Sequence, residues 1–364
     1  MSIDLKAPAD VAPPHLGKAG TLARLALIGA ALAAVVGTFA YLGGWLTPNE
    51  LTPARFADGF EEVNRVHRGF RRNHAKGVGV SGFFVSNGNG ARLSKAAVFR
   101  PGRVPVLGRF SLGGGQPYGA DSPDAVRGLG LQFSLPDGEL WRTATINLPV
   151  FPFRTPEAFY QQLIASRPDP KTGRPDPAKL QAFAANHPET AAALKVIKSQ
   201  SASSGFGDST FHGLNAFRFI NAAGASTPVR WILTPAQPWK TASAATPSQD
   251  KNFLFDALIT QIHRRPLQWY LIVIVGQPGD PTNDATIAWP PGREQVNLGT
   301  LTLDRVESDD SSAARDINFD PLVLPDGIAP SGDPLLSAGQ RSTPNPTPVG
   351  PASRNSPAQS HRPR

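Results

Sequence analysis

Hydrophobic and polar positions fall into distinct regimes along the chain. Residues 25–45 run from Leu25 to Trp45 without a charge, long enough to cross a hydrocarbon layer as a helix. Farther on, Phe56, Phe60, Val63 and Val66 recur at helical spacing and predict an amphipathic helix from Phe56 to Phe70. From Gly77 the period changes to two. Val78, Val80 and Phe84 predict one strand, Gly88-Asn89-Gly90 a turn, and Val104–Phe110 a second strand. Further strands are predicted over 127–134, 139–147, 211–220, 229–233, 269–275 and 298–303. Helices are predicted over 156–167, 177–197 and 250–264, with 167–178 a turn-rich connector. This is not the alternation of βαβ units. It predicts an α+β protein built on an antiparallel β-barrel or sandwich.

The flanks of the apolar run give it a direction. Lys6, Lys18 and Arg24 precede it, and Tyr41 and Trp45 sit near its far end. Positive charge is retained on the cytoplasmic side, and aromatic residues favour the interface. The rival reading is a cleaved signal peptide. The run exceeds a usual apolar h-region, and Gly43-Gly44-Trp45 is a poor small-x-small cleavage site. The expected organisation is a cytoplasmic leader (1–24), a transmembrane helix (25–45), a domain on the periplasmic side (46–338) and a tail (339–364).

Composition narrows the chemistry. The chain has 364 residues, 40% hydrophobic and 18% charged, enough to bury a sizeable core. It contains no cysteine, which excludes disulfides, thiolate haem ligation and cysteine metal sites. The net charge of +8 is a weak argument for nucleic acid, because the tail holds Arg341, Arg354, Arg362 and Arg364 and no acid. There is no phosphate-binding loop and no Gly-x-Ser-x-Gly nucleophile elbow. His187, His212 and His263 lack metal-ligand spacing and read as structural or exposed.

Chemistry concentrates at 65–84. Arg65, Arg68, Arg71 and Arg72 cluster beside His74, and Gly77, Gly79 and Gly82 follow. Those glycines remove side chains where something flat and bulky could approach. One His in a basic strand is more often an ordinary core or surface residue. Its context is what singles it out. Arg71-x-x-His74-Ala-Lys-Gly-x-Gly79 resembles the distal strand of the haem catalase superfamily. Val104-Pro-Val-x-x-Arg109-Phe110-Ser111, Asp124-x-x-Arg127-Gly128 through Phe133, and Asn147-x-Pro149-Val-Phe151-x-x-Arg154-Thr-Pro156-x-x-Phe159 follow in the same order. His212-Gly-x-Asn215-Ala-Phe-Arg-Phe219 is similar to the short branch, the catalase-related peroxidases.

The resemblance implies an antiparallel β-barrel that holds haem b, with a peroxide as oxidant and a small electron donor as reductant. It implies His74 as the acid/base group, Ser111 as its hydrogen-bond partner, Asn147 as the distal amide, Arg71 and Arg109 as propionate ligands, and Phe151 on the haem face. A neutral imidazole can take a proton from one peroxide oxygen and deliver it to the other. Guanidinium forks suit carboxylates. Two positions depart from the pattern. The distal amide aligns with Ile146, leaving Asn147 one residue late, and Asn73 is polar where catalases commonly carry Val. Both changes favour organic peroxides over hydrogen peroxide disproportionation. Other readings are a fatty-acid hydroperoxide isomerase of the allene oxide synthase type, and a haem-free barrel binding an apolar ligand or partner.

The family holds its iron through a tyrosinate in an Arg-x-x-x-Tyr helix near the C-terminus. The resemblance runs as far as Ala338. There the sequence becomes rich in Pro, Ser and Arg, and Tyr41, Tyr118, Tyr160 and Tyr270 are the only tyrosines. Proline forbids the expected helix, so no axial tyrosine is assigned. The expectation is a reading frame that shifts near Ala338, the alternative a natural tail with another axial ligand.

Overall fold

A computed structural model describes residues 18–42, 51–242 and 250–336. It divides into two units, Met1–Thr52 and Pro53–Arg364. In the first, α1 (Lys18–Leu42) is a continuous helix. Its segment Ala19–Tyr41 is long and apolar enough to cross a membrane. The helix starts before the predicted run and takes in Arg24, while 43–45, the leader to residue 17 and the tail from 337 lie outside the described residues.

The second unit opens with α2 (Pro53–Asn64), which buries Phe56 and Phe60. The helix stops short of the predicted Phe70 because Arg65 takes a φ of 67°, a left-handed conformation that ends an α-helix. Strands β1 (Gly77–Ser86), β2 (Gly102–Leu112), β3 (Arg127–Ser134) and β4 (Leu140–Ile146) then form a meander. Helices α3 (Pro156–Ala165), α4 (Pro177–Asn186) and α5 (Pro188–Lys198) follow. A single helix was expected over 177–197. Pro188 breaks it, since proline has no N–H to donate and keeps the preceding His187 out of helical geometry.

The predicted strand 211–220 is two strands, β5 (Phe211–His212) and β6 (Phe217–Ile220). Next come β7 (Ser226–Pro235), α6 (Phe253–Arg264), β8 (Leu267–Val275), β9 (Gln295–Ser308) and the short β10 (Ile328–Pro330). Every ladder is antiparallel. Strand β1 pairs with both β2 and β9, and β8 pairs with both β9 and β7. Eight strands, in the order β1-β2-β3-β4-β5-β7-β8-β9, therefore close a barrel, and β6 and β10 extend it beside β7. Closure removes the free edges that an open sheet would expose.

Aromatic residues fill the barrel. Trp141, Trp231 and Trp269 are fully buried, with Phe84, Phe110, Phe133 and Phe211 among them. The indole of Trp141 stacks on Phe133 at 4.6 Å between centroids. Trp231 donates to Thr143 Oγ1 at 3.0 Å, and Trp269 to the Ser209 carbonyl at 3.1 Å, so these two indoles bring their polar edges to partners, whereas Trp141 Nε1 is buried without one among the described residues.

Strand alternation sorts paired residues onto two faces. Phe110, Leu129 and Thr145 are paired across β2, β3 and β4 and point inward. One step along, Ser111, Gly128, Ile146 and His212 are paired across β2 to β5 and share the outer face.

Candidate active site

His74 lies in the loop before β1, against this outer face. Its φ is 54°, left-handed for a residue that is not glycine. Such strain costs on the order of 1–3 kcal/mol and persists only where surrounding contacts hold it. Those contacts are present. Arg109 Nη1 donates to the His74 carbonyl at 2.8 Å, and Asn73 Oδ1 accepts from the His74 N–H at 2.9 Å. The imidazole rests on Gly128. A Cβ there would lie 3.1 Å from His74 Cε1 and 3.0 Å from Ser111 Oγ. Nδ1 and Ser111 Oγ are 3.0 Å apart, and Nε2 has no hydrogen-bond partner among the described residues.

The ring keeps some solvent access, yet its pKa is lowered from 6.5 to about 4, first by burial and then by Arg109 and Arg71. It is therefore neutral at physiological pH, and its conjugate acid is a ready proton donor. The structure thus brings together His74 and Ser111, with Arg109 beneath them.

Arg109 does more than face a ligand. It is 2% exposed and forms a fork on Asp309, with Nε to Oδ1 at 2.7 Å and Nη2 to Oδ2 at 2.8 Å. Nothing local in the sequence reveals that Asp309 has a partner 200 positions away. Arg71 Nη2 donates to the carbonyls of Arg315 at 2.8 Å and Ile317 at 2.7 Å. Its Nε is buried without a partner among the described residues. Burial lowers its pKa to about 10, so it remains cationic and able to take an anion.

Asn147 lies beside this cluster, on the Arg127 backbone next to Gly128, while Phe151 is placed among other aromatic rings and not against His74. Asn147 Oδ1 accepts from the Arg127 N–H at 2.8 Å and caps the start of β3; alternation gives the Gly128 face to Ile146. Phe151 is half-buried and packs edge-on against Phe153 and Phe159 at 5.6 and 5.7 Å. The glycines have nearer tenants than a flat ligand. Gly77 makes room for the Arg109 guanidinium and Gly79 for the Ser312 hydroxymethyl group, while Gly82 faces the Thr302 carbonyl. His212, read as structural or exposed, is largely buried on the same face as Ser111, and burial lowers its pKa to about 4. Asn215 Nδ2 donates to Asp333 Oδ2 at 2.9 Å, fastening the 212–219 motif to the end of the described chain.

The catalase family model matches residues 47–342. The chain belongs to the catalase family. It is an oxidoreductase of that superfamily, similar to proteins named catalase-related peroxidase. One, from Synechococcus elongatus, is 38% identical over 84% of this chain and 91% of that protein. Another, from Mycolicibacterium paratuberculosis, is 32% identical over 79% of this chain and 90% of its own. Solved catalases share the fold. A fungal catalase superposes with a TM-score of 0.68 at 19% identity, covering 75% of this chain and 58% of that one. A bacterial catalase gives 0.66 at 22% identity over 75% and 56%.

Members of this family generally bind haem. The distal residues fit it: an unpartnered imidazole Nε2 on one side, and a buried guanidinium Nε on Arg71 for a carboxylate. The proximal side is different. Tyr118 packs on Phe70 at 5.4 Å, Tyr160 on Phe56 at 6.1 Å, and Tyr270 is 41% exposed on β8, while Tyr41 belongs to α1.

Proposed function

We propose that residues 46–338 form a haem b peroxidase that consumes organic peroxides, and hydrogen peroxide less efficiently, to oxidise small electron donors. The observation that carries this reading is the neutral, strained His74, with Nδ1 on Ser111 and Nε2 free. With Nδ1–H donating to Ser111, the lone pair at Nε2 takes the proton from the peroxide oxygen that will be retained. The same nitrogen returns it to the departing oxygen. When bound, haem supplies the electrons for breaking the oxygen–oxygen bond. Arg71 would hold a propionate through its unpartnered Nε, the remaining N–H of Arg109 Nη1 would add to it, and Phe151 would pack on the ring.

Ile146, on the same face as Gly128 and Ser111, favours a peroxide with an apolar body. Asn147, with Oδ1 committed to Arg127, is assigned no more than a minor part. Purified protein reconstituted with haem should oxidise a dye with cumene hydroperoxide faster than with hydrogen peroxide. Isomerisation of a fatty-acid hydroperoxide without dye turnover would point to the allene oxide synthase reaction. Absence of a Soret band after loading, in protein whose reading frame at codon 338 has been verified and restored, would point to a haem-free binding barrel.

The reading extends to both ends of the chain. Residues 25–45 anchor the domain on the periplasmic side of the cytoplasmic membrane. An alkaline phosphatase fusion after Pro48 should be active there, and an inactive fusion would reverse the topology. The missing axial tyrosine points to a shifted reading frame near Ala338, so the chain as written should load haem weakly. Resequencing the gene at codon 338 tests this. A confirmed frame with full tyrosinate-type loading would overturn it.

A further inference from the structure

Asn73 stands where the resemblance places an apolar residue, and its amide oxygen takes two hydrogen bonds. Oδ1 accepts from the His74 N–H at 2.9 Å and from the Gly114 N–H at 2.9 Å. Gly114 belongs to the loop after β2, and its carbonyl accepts from the Ala75 N–H at 3.0 Å. The left-handed turn at His74 is thereby stitched to that loop on both sides. On the carbonyl side it is held by Arg109, itself fixed by Asp309.

We infer that Asn73 is a positioning residue, whose amide oxygen locks the His74 peptide in the left-handed conformation that lays the imidazole over Gly128 and against Ser111. The inference rests on the acid/base reading of His74. Without the Oδ1 acceptor, two N–H groups lose their partner and the turn is free to relax toward negative φ. The ring then swings away from Ser111 and the two guanidiniums. A valine at this position has no side-chain acceptor and could not hold the turn in this way. The amide also does what a carboxylate could not: it accepts two hydrogen bonds without placing a negative charge beside the imidazole.

The test uses the full chain in detergent and three proteins: parent, Asn73→Ala and Asn73→Asp. Carbon-13 labelling of histidine in haem-free protein, with His74 assigned by its loss in His74→Gln, reads the imidazole titration. In the parent, His74 titrates at about 4; in Asn73→Ala it should move toward the ordinary value near 6.5. In reconstituted enzyme, Asn73→Ala should lower kcat by roughly 10- to 100-fold with KM changed by less than about twofold, the pattern of a misplaced acid/base group. Asn73→Asp keeps the acceptor and should restore kcat to within about fivefold of the parent, while its added charge raises the titration.

An Ala variant with the parental titration and kcat would overturn the inference. So would an Asp variant as slow as the Ala variant. If the parent turns over no peroxide, yet the Ala variant shifts the His74 titration, positioning stands and the peroxidase reading falls.

Discussion

Two rows of side chains one step apart on the same strands have opposite fates. On the inner face, Phe110 and Leu129 are at most 1% exposed, and Thr145 returns its hydroxyl to the Leu129 carbonyl at 2.8 Å. On the outer face, Ser111, Gly128, Ile146 and His212 form the bed beneath the His74 ring or extend it. The inner row is fully buried. The outer row mixes small Gly128 and polar Ser111 with half-buried Ile146 and His212. Strand alternation thus lets one sheet serve as core on one face and as the bed of the His74 ring on the other.

The separation can be broken deliberately, and the largest effect should come from His74. His74→Gln should reduce dye turnover in haem-loaded protein by about 10²–10⁴-fold without lowering the urea midpoint, since it removes a strained, desolvated group. An equal loss of stability would mean that the ring is part of the core. Phe110→Ala lies one pleat inward and should do the reverse. Its loss of stability is expected at about 3–5 kcal/mol by urea titration, and whatever protein remains folded should keep its activity per molecule.

Acid should act in part through His74 and His212. His74 and His212 both titrate at about 4 when folded, through burial first, and near 6.5 when unfolded. The unfolded state therefore binds more protons between these values. Stability from these groups is fully present above about pH 6.5 and falls as pH drops to about 4, by up to about 3 kcal/mol for each. Denaturation curves at pH 7 and 4.5 should differ less in His212→Asn than in the parent. An unchanged difference would remove His212 from the account. The smallest expected effect is Gly128→Ala. Its methyl would press on the His74 ring and Ser111 at 3.0–3.2 Å, lowering turnover roughly tenfold while stability changes by less than about 1 kcal/mol.

Legibility from the sequence followed the range of the interaction. Local periodicity marked β3 within a residue of its limits and revealed the antiparallel character of the sheet, because alternation is written into neighbouring positions. The break at Pro188 was not read, although a proline inside a helical stretch ends the helix before it. His74 and Ser111 were legible through ordered motifs, and they do meet. What stayed hidden was partnership across distance. Neither Asp309 under Arg109 nor Asp333 on Asn215 carries a local signal. Glycine was half read: open space was correctly expected, but at Gly77 and Gly79 the occupants are the protein's own side chains.

The Arg109–Asp309 fork has a consequence in time. The two residues are separated by 200 positions, and Asp309 follows nearly all of the barrel in the chain. During synthesis at about 5–20 residues per second, His74 emerges roughly 10–50 s before the carboxylate that fixes its support. Until then the guanidinium beneath the turn has no counter-ion. The nascent chain can assemble much of its meander while the turn at His74 still lacks this support.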